Sequence, residues 1–210
     1  MAGLTPQPGL LVIETFRMTA SGSVPRIDRH LDRMAQTANR LGYAFDRQAA
    51  VAALPAAGPA DLRVRLTLDI GGRFAATAAP LGHTAPLWRV VIADERITAA
   101  DPWLAVKTTR RERYDRVRAS LPRGVDEALF LNENGEVCEG AITNVFVQCG
   151  ERLLTPPRAA GLLPGILRQE LLTMGRAVEA PLRREDLTGA EGIYVGNALR
   201  GLIRAELARA

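Results

Sequence analysis

The amino-acid sequence predicts an α+β protein of two domains, and three observations carry that expectation. Residues 27–41 repeat apolar side chains at helical spacing, with Leu31, Met34, Ala35, Ala38 and Leu41 on one face. Residues 62–69 and 73–79 alternate in the manner of strands around Gly71-Gly72, as a hairpin does. Between Pro80 and Pro86, two prolines and Gly82 interrupt both patterns and mark a linker. Helices and hairpins on both sides point to a small N-terminal domain over residues 1–82, a linker over 83–87 and a larger domain over 88–210.

The elements follow in order. Gly9 to Thr19 reads as a strand in which Leu11, Ile13 and Thr15 alternate with Val12, Glu14 and Phe16; Ser21-Gly22 then turns. The helix at 27–41 has Asp28 near its start and Gly42 just past its end. A second helix, Arg47 to Leu54, stops at the Pro/Ala/Gly stretch over 55–60. Beyond the hairpin and linker, Trp88 to Ala93 is a strand, Val106 to Thr109 a short extended piece, and Arg111 to Ser120 a helix. Glu127 to Asn132 and Ala141 to Gln148 read as strands around the turn Asn132-Glu133-Asn134-Gly135. Arg152 to Thr155 is a short strand, and Gly165 opens a helix running to about Arg176. Ile193 to Val195 is a strand, and Leu199 to Arg204 continues the sheet.

Composition excludes several classes. The 210 residues are 47% hydrophobic and 24% charged, which argues against disorder. No apolar run approaches the roughly 20 residues a membrane span needs, and Met1 to Pro8 lacks the basic flank and apolar core of a secretion signal. Cys138 and Cys149 are too few for a disulfide framework and suit no zinc site, so no metal is expected. A cytoplasmic location is the default. Net charge +4 raises nucleic acid as a partner, but the arginines scatter from Arg17 to Arg209. The one dense run, Arg110 to Arg118, has Tyr114 as its sole aromatic and reads as a solvated helix face, so neither nucleic acid nor membrane is expected.

The basic residues hold the most useful number. Of 27 Lys plus Arg, only Lys107 is lysine. Where surface lysines have drifted to arginine, a surviving lysine points to chemistry guanidinium cannot perform, namely a deprotonatable primary amine able to form an imine. Chance survival is the competing reading. Two further features stand out. Glu139 interrupts two strand-like segments and precedes Gly140, a residue that permits close backbone approach; a lone acid in such a turn is usually solvated. Gly161 to Arg168 leads through Pro164 and Gly165 into a helix whose first N–H groups suit a phosphate. His30 and His83 show no partner signal and read as structural, as does Cys138, a small core filler. Tyr114, seven residues past Lys107, is near enough in helical terms to pack or to serve the same site.

Several segments then occur in order: Glu14-Thr15-Phe16-Arg17, His30-Leu31-Asp32-Arg33-Met34, Lys107-Thr108-Thr109-Arg110-Arg111, Asp126 to Asn132, Glu139-Gly140-Ala141-Ile142-Thr143-Asn144-Val145-Phe146, Gly161 to Arg168, and Gly196-Asn197-Ala198-Leu199. Together, over about residues 9–205, they resemble the class IV (fold type IV) pyridoxal-phosphate family. That family includes branched-chain and D-amino-acid aminotransferases and 4-amino-4-deoxychorismate lyases. The resemblance implies a small N-terminal α/β domain, here shortened at its start, and a larger C-terminal pseudo-barrel that binds pyridoxal 5'-phosphate. It also implies a homodimer.

Residue by residue, the resemblance implies that Lys107 forms the aldimine with the cofactor and shuttles protons, with burial and nearby cations keeping its amine neutral. Glu139 faces the pyridine nitrogen and keeps it protonated. Arg33 pairs with the cofactor phosphate, although two residues past Leu31 is about 200° around a helix, which by periodicity alone is solvent. Ile166 and Leu167 supply backbone N–H donors to the phosphate, Leu163 an apolar contact to the ring, and Asn197 and Ala198 a closing phosphate loop. Two departures bear on the reaction. Ile142-Thr143 stands where the family often has small polar residues, and Arg110, Arg111 and Arg200 are unusual for an aminotransferase of apolar side chains. With Arg17 they are candidates to bind the carboxylates of an anionic substrate. The expected activity is therefore an aminodeoxychorismate lyase releasing pyruvate and 4-aminobenzoate, a folate precursor. An amino-acid aminotransferase of branched-chain or D-amino-acid type and a cofactor-free binding protein are the alternatives.

Overall fold

The computed structural model describes residues 4–208; residues 1–3 and 209–210, at the outer ends of the two expected domains, lie outside the described residues. By contacts the chain divides into two compact units, one comprising residues up to 83 together with 106–110, the other 84–105 with 111 onward. Among the described residues no helix is long and apolar enough to cross a membrane.

The first unit is a three-stranded antiparallel sheet with helices. Its elements are β1 (Val12–Met18), α1 (Ile27–Leu41), α2 (Arg47–Ala52), β2 (Leu62–Leu68) and β3 (Phe74–Pro80), with β2 central. The expected hairpin is β2–β3, in register from Leu62↔Pro80 to Leu68↔Phe74. Asp69 closes its turn by accepting the Arg73 N–H at 3.0 Å. Helix α1 ends where Gly42 adopts φ 73°, a left-handed conformation that costs glycine little. The Tyr43 N–H then folds back to the Ala38 carbonyl at 2.9 Å. Phe16, Leu31, Met34, Ala38, Val64 and Leu66 supply buried apolar surface.

Residues 106–110 join this unit because their backbone bonds to the start of β1. Ile13 N–H donates to the Lys107 carbonyl at 3.0 Å, and Thr109 N–H donates to the Leu11 carbonyl at 2.9 Å.

The second unit is built on an eight-stranded mixed sheet. In chain order it has β4 (Leu87–Ile97), α3 (Glu112–Ala119), β5 (Glu127–Asn132), β6 (Val137–Gly140), β7 (Asn144–Cys149), β8 (Arg152–Thr155), α4 (Ile166–Thr173), β9 (Ala177–Glu179), α5 (Arg184–Thr188), β10 (Ile193–Asn197) and β11 (Gly201–Leu207). The strand order is β10-β11-β4-β5-β6-β7-β8-β9, and β10 pairs with β7 as well, closing a barrel-like ring. Strand β5 is buried along its whole length. Leu129 and Leu131 enter one apolar cluster with Val90, Val145 and Val195, while Ala128 and Phe130 enter a second with Ile97 and Cys138. Burial on both faces explains its nearly continuous apolar run.

Several expected bounds shift. Strand β4 extends to Ile97, α4 stops at Thr173, and β11 begins at Gly201 rather than Leu199. Strand β9 and helix α5 are additional, and both are too short to show a period. The largest correction concerns residues 136–143: the strand returning from the Asn132–Gly135 turn is β6, so Glu139 lies inside a strand opposite Phe130. The turn comes later, at 141–143. Four residues of β6 are too few for an alternation signal, whereas the apolar Ala141-Ile142 mimics the start of a strand.

Candidate active site

In the first unit the site begins with a carboxylate that has no exposure. Glu14 sits in β1 among apolar neighbours and is fully buried. Arg33 Nε donates to its Oε1 and Arg33 Nη2 to its Oε2, both at 2.7 Å. His30 Nδ1 lies 2.7 Å from the same Oε2. Burial by itself raises the Glu14 pKa, but the Arg33 charge and the hydrogen bonds from His30 and Arg33 outweigh it and hold the carboxyl down to about 2. Arg33 is thus buried, against the periodicity that put it in solvent, because α1 buries a second stripe. His30, Arg33 and Thr37, at spacings of three and four, pack beside the Leu31–Met34–Ala38 stripe. The available signal was a lone acid in an apolar strand opposite a polar helical stripe. A guanidinium held side-on through Nε and Nη2 has its plane fixed, so its other edge is aimed as well.

Lys107 follows on the same β1 scaffold. Its backbone is tied to Ile13, one residue from Glu14, and its side chain is half-buried. Arg110 is exposed, and Arg17 on β1 is half-exposed and ion-paired with Asp61.

In the second unit Glu139 is 5% exposed, and both of its oxygens accept hydrogen bonds. Tyr114 Oη donates to Oε1 at 2.6 Å, and Leu163 N–H donates to Oε2 at 3.0 Å. Burial and the Glu139 charge push the Tyr114 pKa upward, so the phenol stays a donor to the carboxylate. Leu163 therefore meets Glu139 through its backbone. Tyr114 is the residue whose spacing from Lys107 left its role open. Its position shows in an edge-on contact with Phe130 at 5.1 Å and the Arg111 guanidinium 5.2 Å over its ring. Cys138 is a buried filler, as expected, and burial together with Glu139 and Glu136 pushes its thiol up to about 12.

Gly140, after Glu139, admits the close approach expected of it. A Cβ there would overlap Thr143 Oγ1 and lie 2.9 Å from Glu127 Oε2, a buried carboxylate. Gly140→Ala is expected to destabilise the protein by about 3 kcal/mol. Denaturant unfolding measures it, and a loss under 1 kcal/mol would show that the turn gives way easily.

The α4 entry is a helix start whose first-turn N–H groups meet no side-chain cap. Gly165 precedes it without a side-chain cap, and Ile166 and Leu167 form its first turn, both buried. Gly165 and Gly196 leave no room for side chains: a Cβ at Gly165 would overlap Asn144 Oδ1, and one at Gly196 would lie 2.9 Å from Leu167 Cδ2. First-turn N–H groups without a side-chain acceptor, at a positive helix end, suit a phosphate. Arg168, fully buried, ties this turn to the Pro156 carbonyl at 2.7 Å and to Glu179. Asn197 serves the scaffold: Nδ2 donates to the Ile142 carbonyl at 3.1 Å, and Oδ1 accepts the Leu199 and Arg200 N–H groups at 3.1 and 3.0 Å. Half-buried Ala198 sits within that turn. Arg200 lies over Trp88, 5.9 Å from the ring centroid. Arg111 donates to the Ala141 carbonyl at 2.7 Å.

Comparison with known proteins decides the family. The family model for class IV amino-transferases matches residues 11–207. The chain belongs to the class IV aminotransferase family. Its enzymes use pyridoxal phosphate. A Mesorhizobium loti structure named putative amino-acid aminotransferase is 41% identical with a TM-score of 0.91, covering 95% of this chain and 100% of that one. A hypothetical aminotransferase from Mycobacterium tuberculosis, solved in a PLP-bound form, shares the class IV fold at 23% identity and TM-score 0.77, covering 96% and 87%. Aminodeoxychorismate lyase of Saccharomyces cerevisiae is 29% identical over 136 residues, 56% of this chain and 36% of that protein. The match thus spans about a third of that curated relative's length. Taken unit by unit, the chemistry suits such a cofactor: the first unit offers an amine at Lys107 and a guanidinium at Arg33, and the second a carboxylate at Glu139 and an uncapped helix start at α4.

Proposed function

We propose that the chain is a pyridoxal-phosphate-dependent lyase that converts 4-amino-4-deoxychorismate to pyruvate and 4-aminobenzoate. The cofactor, when bound, supplies an aldehyde that captures amines and a cationic ring that withdraws electrons from the carbon losing its proton. Lys107 would hold the group through its amine, and the same amine would serve as the base for the proton on the amine-bearing ring carbon of the substrate. Glu139 keeps the pyridine N–H protonated. Tyr114 Oη and Leu163 N–H both donate to that carboxylate and hold it in place. By resemblance to the family, the phosphate would fall to Arg33 and to the N–H groups of Ile166 and Leu167.

The observation that carries the lyase reading is Arg200. Its N–H is fixed by Asn197 at 3.0 Å and its guanidinium is held over Trp88, so the turn resembling the family's phosphate loop presents a positioned cation. A carboxylate of an anionic substrate suits that cation. One observation favours an amino-acid aminotransferase instead: Arg17 and Arg111 already have partners within the scaffold, in Asp61 and the Ala141 carbonyl. The test incubates cofactor-loaded protein with aminodeoxychorismate, and separately with L- and D-amino acids plus a keto acid. Release of pyruvate and 4-aminobenzoate in equal amounts is expected. Keto-acid formation without either product would replace the lyase with the aminotransferase. A homodimer in the cytoplasm belongs to the same proposal.

A further inference from the structure

Glu127, at the start of β5, belongs to the Asp126–Asn132 segment, to which no role has yet been given. Its carboxylate has no exposure, yet it takes no part in the proposed chemistry. Oε1 accepts the Ala128 and Ala141 N–H groups, each at 3.1 Å. Oε2 accepts the Ile142 N–H at 3.1 Å and the Thr143 hydroxyl at 2.9 Å. Arg118 Nη1 stands 3.4 Å from Oε1. Three successive residues, 141 to 143, thus point their donors at one carboxylate.

The carbonyls of the same turn are held by other side chains. Arg111 Nη2 donates to the Ala141 carbonyl at 2.7 Å and Asn197 Nδ2 to the Ile142 carbonyl at 3.1 Å. The Gly140 N–H closes the turn on the Thr143 carbonyl at 2.8 Å. On one side of this turn is Glu139; on the other is Asn144, whose Nδ2 bonds the Leu163 carbonyl at 3.0 Å. Leu163 in turn donates to Glu139. The Ala141 N–H is shared with the Ala128 carbonyl at 3.1 Å, so an apolar residue at 127 would satisfy burial but take the carboxylate away from the Ile142 N–H and the Thr143 hydroxyl, and a buried donor without a partner is costly. A carboxylate has acceptor sites for all of them. An amide has one oxygen and would set its own N–H2 against the others.

We propose that Glu127 is a positioning residue of the candidate site, its carboxylate setting the 140–143 turn and, through it, the places of Glu139 and Asn197. This rests on the reading that Glu139 serves the cofactor. It also accounts for the Glu-Gly-x-x-Thr-Asn pattern: Gly140 makes room for Glu127, Thr143 bonds it, and Asn144 carries the connection to Leu163.

The test measures two quantities on the intact protein: amide hydrogen exchange at Ile142, and the affinity for added pyridoxal phosphate by visible absorbance. Glu127→Gln is expected to speed exchange at that amide and to weaken the cofactor, each about tenfold or more. Leu187→Ala, a core change in α5, is the control; it is expected to lower the melting temperature and leave the affinity unchanged. Thr143→Val removes one bond only and shows the same two effects to a smaller degree, which covers the case of an unfolded Glu127→Gln protein. Faster exchange with unaltered affinity overturns the proposal, as does unaltered exchange, or an equal loss of affinity in the control. A wild-type protein that binds no pyridoxal phosphate overturns the functional reading and this proposal with it. That failure appears before any variant is made, so the two are distinguishable.

Discussion

Lys107→Ala is expected to lower turnover by about a thousandfold or more and to abolish covalent attachment of the cofactor. Only a primary amine can form that attachment and later return as a base. The chain has one lysine, so no other side chain can substitute. Lys107→Arg separates chemistry from charge, because guanidinium keeps the positive charge but is not deprotonated in proteins. Both variants should therefore fail alike. Borohydride reduction followed by peptide mass analysis checks this directly: the wild type gains a pyridoxyl group on the peptide containing Lys107, and the variants gain none. Appreciable turnover in Lys107→Arg would show that position 107 needs a cation and not an amine. The backbone supports a placing role for this segment. Its hydrogen bonds to Leu11 and Ile13 fix residues 107–109 beside β1, independently of the side chain.

Glu14→Gln is the second large effect, expected on stability. It takes away the carboxylate that clamps Arg33, 8% exposed, and breaking a buried pair from one side costs about 3 to 5 kcal/mol. The pH dependence has a definite sign. The Glu14 pKa is lowered from the ordinary 4.5 to about 2. A depressed carboxyl contributes stability that is present above its unfolded value and lost as pH falls through its folded one. The wild type should therefore lose stability between about pH 4.5 and about 2, and Glu14→Gln should be flatter in that window. Denaturant unfolding from pH 6 to 2 measures it. Parallel curves for the two proteins would mean that Glu14 is not the group responsible. Weaker binding of pyridoxal phosphate by Glu14→Gln would add that Arg33 must be held in place to meet a phosphate.

Much of the fold was legible because its periods are long enough to read. Helix α1, with fifteen residues and a glycine stop, falls at its expected bounds, and the β2–β3 hairpin follows its alternation to within a residue. The misreadings cluster where elements are short or buried on both faces. Strand β6 has four residues and β9 three, and neither offers an alternation to detect. For that reason the sequence pattern over residues 136–143 sets the strand one element late and puts Glu139 in a turn.

The site was legible in residue types more than in roles. Lys107, Glu139 and the Gly161–Arg168 entry stood out because a rare residue, a lone acid and a Pro-Gly helix start are local signals. Arg33 did not, because its reason for burial is Glu14, nineteen positions away and on another element. Tyr114 and Glu127 were invisible as partners for the same reason: these bonds cross 14 to 25 residues of chain. Asn197 carried the right motif, yet its side chain is used in holding Ile142 and its own turn.

By itself, then, the sequence determined the single side-chain amine, the mixed secondary structure and the order of motifs that marks the family, since these depend on composition and on near neighbours. Only the tertiary structure decided which charges are buried and what each one holds. Glu14 clamps Arg33 and Glu127 gathers the 141–143 donors, and both carboxylates are shielded from water, where such hydrogen bonds are strongest and an unpaired charge is least tolerable.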